Sequence, residues 1–170
     1  MFDYKKMQEM LAEVKIETDR SCALIIAANL ENRLKDLLTD FFISMSPTAL
    51  KEIFEGTNPL STFSSRITIA FSLGLLSEQE YHDLNLIRRI RNSFAHEEHG
   101  WSFSTQIVKD RCSSFKLFSE ARIKNAAITG NYSPRDRFQI VAISITLLLL
   151  ERRKKAKSEQ RAQHPSTSIF

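Results

Sequence analysis

The sequence predicts an all-α protein, a single-domain bundle of about six to seven helices. Glycine and proline are scarce, four of each in 170 residues, which leaves too few breakers for a many-turned β architecture. Apolar residues recur at three- and four-residue spacing along most of the chain. No segment alternates convincingly with period two. Residues 1–157 are expected to form one helical domain, and residues 158–170 a flexible C-terminal tail, loosest from His164 to Phe170.

The elements follow in order. Met7, Met10, Leu11 and Val14 predict a short amphipathic helix over residues 3–16. Thr18 or Asp19 caps the next helix, expected from Arg20 to about Ser44. Its apolar face is Leu24, Ala27, Leu30, Leu34, Leu37, Leu38 and Phe41. Ser46-Pro47 is a fresh start, cap then first-turn proline, for a short helix ending near Gly56. After a loop at Thr57-Asn58-Pro59, Ser61 to Leu73 reads as helical, with Gly74 as its C-terminal cap. Ser77 and Glu80 are spaced as a capping box, opening a helix through Leu84, Ile87 and Ile90. Residues 97–100 break the pattern, and 101–122 predict one or two short helices. Ser133-Pro134-Arg135-Asp136 starts the last helix, which reaches the basic run near residue 155.

With 42% hydrophobic and 26% charged residues, this is an ordinary globular mixture with enough chain for one core. The most apolar run, Ile140 to Leu150, is short for a bilayer span and contains Ser144 and Thr146, so no membrane insertion is expected. The first residues lack the apolar stretch of a secretion signal, which points to the cytoplasm. Cys22 and Cys112 form no motif and sit among apolar residues, as core thiols do. The net charge is +4 and uneven, because Arg152, Arg153, Lys154, Lys155, Lys157 and Arg161 crowd the C-terminus. Such a cluster suits the negative end of a helix dipole, and equally a nucleic-acid or acidic-partner contact.

The segment richest in chemistry is Ile90-Arg91-Asn92-Ser93-Phe94-Ala95-His96. Arg91 shares a stripe with Leu84, Ile87 and Phe94, a polar intruder on an apolar face that must be paired or open to a cleft. Glu31 is the corresponding intruder on the long helix, so a Glu31–Arg91 ion pair between helices is expected. His96 diverges from Arg91 by roughly 140° on an ideal helix, so the two share a site only if the helix ends between them or two copies meet. An Arg-Asn-His set can stabilise a phosphate and move its proton, and can equally be a structural lock at a helix end. His96, Glu97, Glu98 and His99 lack the spacing of a metal site, and there is no phosphate-binding glycine loop. Neither a metal nor a cofactor is expected. Arg88, Arg89, His99 and Trp101 are candidates for contacting nucleic acid or a partner. Trp101 and Phe103 could form a stacking shelf for a base, or simply join the core.

Asn58-Pro59-Leu60-Ser61 through His96-Glu97 resembles the mannitol operon repressor (MtlR) family. The matching features are Pro59-Leu60, Ser65-Arg66-Ile67, Leu73-Gly74-Leu75-Leu76, Gln79-Glu80-Tyr81-His82-Asp83-Leu84 and the Arg-to-His element. The resemblance implies a helical regulator without an obvious DNA-reading element, working through a regulatory protein partner or through nucleic acid. Arg91, Asn92 and His96 also resemble the signature of the HEPN superfamily. That resemblance implies a homodimer and metal-independent RNA cleavage. His96 would be the acid or base, Arg91 would stabilise the charged phosphorane, and Asn92 would orient His96 or the phosphate. A third reading is a non-catalytic interaction module in which the motif is structural.

Overall fold

The computed structural model describes residues 12, 14, 16–96, 100–118 and 131–166. Among them are six α-helices and no strand: α1 (Asp19–Phe41), α2 (Pro47–Phe54), α3 (Phe63–Ser72), α4 (Glu78–His96), α5 (Gln106–Ser113) and α6 (Pro134–Ser158). The helix expected over 3–16 lies outside the described residues, save for positions 12, 14 and 16. No described helix is long and apolar enough to cross a membrane.

Five of the six described helix starts are set by short polar side chains that satisfy free backbone N–H groups. Thr18 Oγ1 accepts from Ser21 N at 3.2 Å, Ser46 Oγ from Ala49 N at 3.2 Å and Thr62 Oγ1 from Ser65 N at 3.1 Å. Ser77 and Glu80 form the expected reciprocal cap of α4. Ser133 and Asp136 do the same for α6. Gly74, at φ +73, closes α3: Leu75 N bonds Ala70 O and Gly74 N bonds Phe71 O.

The long helices α1 and α6 form the central pair; α4 lies across α1, α3 fills the angle between α1 and α4, and α5 sits against α6 and α4. The core takes Ile26, Leu30, Leu34 and Leu37 from α1, Leu84, Ile87, Ile90 and Phe94 from α4, and Phe138, Val141, Ile145 and Leu149 from α6. The expected face of α1 is buried at Ala27, Leu30, Leu34, Leu37 and Leu38 and is broader than expected in its first turns. There it also takes in Cys22, Ala23 and Ile26, where Cys22 Sγ accepts from Gln139 Nε2 of α6, and Leu24 lies off the core. α1 also stops before Ser44. Phe42 turns to extended backbone, and its ring stacks against Phe54 of α2.

The first two arginines of the basic run on α6 are drawn into the fold, while Lys154, Lys155, Lys157 and Arg161 stay exposed. Arg152 Nη1 donates to Leu75 O at 2.9 Å and to buried Glu80 at 3.0 Å. Arg153 spans Asp36 and Asp40 of α1 at 3.0 and 2.5 Å. α6 runs to Ser158, and Gln160 of the segment expected as tail donates to Phe42 O.

Candidate functional site

The Arg-Asn-His segment occupies the last two turns of α4. Ile87, Ile90 and Phe94 commit one face of the helix to the core, so Arg91 and Asn92 fall at its half-buried margin and His96 in solvent. α4 remains helical through His96, which leaves Arg91 and His96 on diverging faces. Arg91 Nη1 donates to Asn92 Oδ1 at 3.2 Å. Both side chains line an open cavity of about 410 Å³ with Glu31, Thr62, Ser64 and Arg88. His96 is not part of that lining.

The C-terminal turns of α4 are held by two further arginines. Arg20 Nε of α1 donates to Phe94 O at 2.6 Å. Arg111 Nη1 of α5 donates to Ser93 Oγ at 2.7 Å and to Arg89 O at 3.2 Å. Cations at a helix C-terminus oppose its partial negative charge, so these contacts anchor the motif and make its surroundings basic.

The Glu31–Arg91 ion pair is not formed. Glu31 instead meets Arg66 of α3, with Nη1 at 3.7 Å from Oε1 and 3.3 Å from the Glu31 carbonyl. Arg66 lies deeper and nearer: it follows Phe63 by three residues on the buried stripe Phe63, Arg66, Ile67, Ala70. Its guanidinium also donates to the carbonyls of Leu60 at 2.7 Å and Phe54 at 3.1 Å. Arg66 was legible by the same intruder argument applied to Arg91, since it interrupts an apolar stripe at helical spacing.

Among the other candidates, Arg88 is half-buried. Its Nη2 reaches Asn85 Oδ1 at 3.4 Å, and its buried Nε has no hydrogen-bond partner. Arg89 is exposed, and His99 lies outside the described residues with Glu97 and Glu98. Trp101 packs half-buried against the core. Phe103 cannot serve as a shelf. It is buried between Phe94 and Phe138, with ring centroids 5.3 and 5.2 Å away. Cys22 and Cys112 are buried free thiols, and burial pushes both upward in pKa, Cys112 to about 12.

Sequence periodicity missed a second polar cluster on α4. Asp83 is fully buried. Its Oδ1 takes His82 Nδ1 at 2.8 Å and Lys116 N at 2.9 Å, and its Oδ2 takes Leu117 N at 2.8 Å. Two of the three partners are backbone groups more than thirty residues away, which no local spacing announces.

Comparison with known proteins fits this architecture. Over 56 residues the chain is 29% identical to the mannitol operon repressor of Escherichia coli strain K12, a match spanning 33% of this chain and 29% of that repressor. In fold it is similar to a chain of the X-ray structure of the MtlR–HPr complex from Escherichia coli. There the TM-score is 0.57 at 20% identity, covering 88% of this chain and 97% of that one. A possible transcriptional regulator, YggD from Shigella flexneri, matches with TM-score 0.60 at 15% identity, over 88% of this chain and 95% of its own. The family model for the mannitol repressor, MtlR, matches residues 7–155, from before α1 almost to the end of α6, and the chain therefore belongs to the MtlR family.

Proposed function

We propose that this chain is a regulator that acts by binding another protein, with HPr or a protein of its kind as the partner class. The observation that carries this reading is the fold match, over 88% of the chain, to a chain of the MtlR–HPr complex. Two features of the molecule support protein contact over DNA reading. α4 is packed against α1, α3, α5 and α6, so it is not free to enter a major groove. Arg152 and Arg153 are engaged by Glu80, Asp36 and Asp40, which removes two cations from the basic C-terminal run. The reading places the protein in the cytoplasm. Calorimetric titration with HPr from the same organism should give a saturable complex that co-elutes on gel filtration. A folded protein that binds no HPr yet shifts operator DNA or RNA would replace protein contact with nucleic-acid binding.

A second reading is a metal-independent ribonuclease of the HEPN type. It is favoured by the open cavity beside Arg91 and Asn92 and by the basic surroundings of the helix end. A homodimer would bring His96 of one copy toward Arg91 of the other. Its test is cleavage of total cellular RNA in EDTA, wild type beside His96→Ala. Cleavage lost only in the variant supports it, and no cleavage by a folded dimer removes it.

A further inference from the structure

Beyond Arg88 the outer faces of α3 and α4 open into a larger cavity of about 640 Å³, within the usual range for small-molecule sites. Arg88, Arg89 and Lys116 bring three cations to its lining, and His82 stands among them. Phe71 and Tyr81, stacked with centroids 4.3 Å apart, supply an aromatic wall. Ser64, Thr68 and Asn85 add neutral polar groups, and Glu78 is the one carboxylate in the lining.

Asp83 organises this cavity from behind. The same buried carboxylate orients the His82 ring and holds the backbone of Lys116. A carboxylate that already accepts two backbone N–H groups is an acceptor for the ring as well, so Nδ1 carries the proton. Nε2 is then the ring nitrogen left free to accept. Arg88, shared with the cavity beside Arg91, has a buried Nε without a partner. That Nε is closed off from the cavity, so an anion there meets the Nη groups, whose described contact is the long one to Asn85 Oδ1 at 3.4 Å.

We propose that this cavity binds the phosphoryl group of a small phosphomonoester. The charged oxygens go to Arg88, Arg89 and Lys116, and the O–H of the monoanion donates to His82 Nε2. The Tyr81–Phe71 wall takes the apolar face of the ligand body, and Asn85 and Glu78 take its hydroxyls. Glu78 within the lining disfavours an extended polyanion such as a nucleic-acid strand, which needs an uninterrupted basic track. The proposal depends on neither a protein partner nor RNA cleavage.

The test is calorimetric titration of the full chain with inorganic phosphate. Wild type should bind one phosphate per chain. Arg88→Gln and Lys116→Gln should each weaken binding by at least about tenfold, the scale of one charge-assisted hydrogen bond. His82→Asn retains a polar group near Asp83 but lacks Nε2, and should also weaken binding. Lys157→Gln, at the exposed end of α6, should change nothing. Arg88→Lys, which keeps the charge, should bind better than Arg88→Gln and guards against loss of folding as the cause. The proposal is overturned if wild type shows no saturable phosphate binding, or if the folded variants bind as wild type does. Sulfate bound as tightly as phosphate also overturns it, because sulfate has no O–H for His82.

Discussion

Arg66→Ala is the substitution whose cost can be worked most directly from the structure. Arg66 is 6% exposed and lies between α1, the end of α2 and the loop before α3. It donates from Nε to Leu60 O at 2.7 Å and from Nη2 to Phe54 O at 3.1 Å, with weaker approaches to Ser61 O and Glu31 O. Its guanidinium also lies 5.5 Å from the centroid of the Phe54 ring. Alanine strands the two closest carbonyls, each costing about 1–3 kcal/mol, and leaves Glu31 without its partner. Water entering the vacated space offsets part of this, so the expected loss is about 3–5 kcal/mol. Urea unfolding followed by far-UV circular dichroism should show a midpoint lower by about 2 M, taking a slope of roughly 2 kcal/mol per molar. Arg66→Lys keeps the charge without the fork and should lose about half as much. Arg91→Ala, which gives up one 3.2 Å bond to its neighbour Asn92, should stay within about 1 kcal/mol of wild type. A loss at Arg91 that exceeds the loss at Arg66 would refute the assignment and restore the Glu31–Arg91 lock.

Asp83→Ala should destabilise by about 2–4 kcal/mol, since it removes the buried acceptor of two part-buried N–H groups, and the amides of Lys116 and Leu117 should lose hydrogen-exchange protection first. If protection is lost uniformly, Asp83 is not the local anchor. Arg152→Met leaves Glu80 buried with only its helix-cap contact and should cost about 2–4 kcal/mol in a denaturant melt, whereas an unchanged midpoint would place Arg152 among surface pairs of little worth. For Cys112, burial raises the folded-state pKa from 9.0 to about 12, so its contribution is fully present below pH 9 and lost as pH rises toward 12. Cys112→Ala should therefore flatten the alkaline decline in stability relative to wild type between those limits. Parallel declines in the two proteins would show that other groups are responsible.

What could be read from the chain divides along the range of the interactions. Caps are local, and Ser46-Pro47, Ser77 with Glu80, and Ser133 with Asp136 begin helices where their spacing says they should. The helix ends were less legible. Phe42 leaves α1 to stack on Phe54, a contact between elements that residue order does not display. The first turn of the apolar face of α1 differs for the same reason: Ala27, Leu30, Leu34, Leu37 and Leu38 are buried as their period implies, but contact with α6 selects Cys22 and Ala23 over Leu24. Glu31 does meet a cation, Arg66 in place of Arg91. Two polar intruders, Arg66 and Arg91, satisfy the same periodicity, and only depth in the assembled bundle separates them. The Asp83 cluster is not legible because its distant partners are backbone N–H groups, which carry no residue signature.

The continuity of α4 sharpens the question of catalysis. A break between Arg91 and His96 would have let one chain assemble both groups around a single phosphate. The helix instead runs through His96, and within one chain only Arg91 and Asn92 reach the cavity. General acid–base transfer needs the imidazole within hydrogen-bond reach of the oxygen it protonates, while the guanidinium holds the same phosphate. A ribonuclease built on these residues is therefore a two-copy enzyme, and its specific activity should rise with protein concentration through the dimer dissociation range. Mixing His96→Ala with Arg91→Ala chains should also restore one intact composite site in a heterodimer. Cleavage at constant specific activity by a protein shown to be monomeric by light scattering would break this argument at its geometric step.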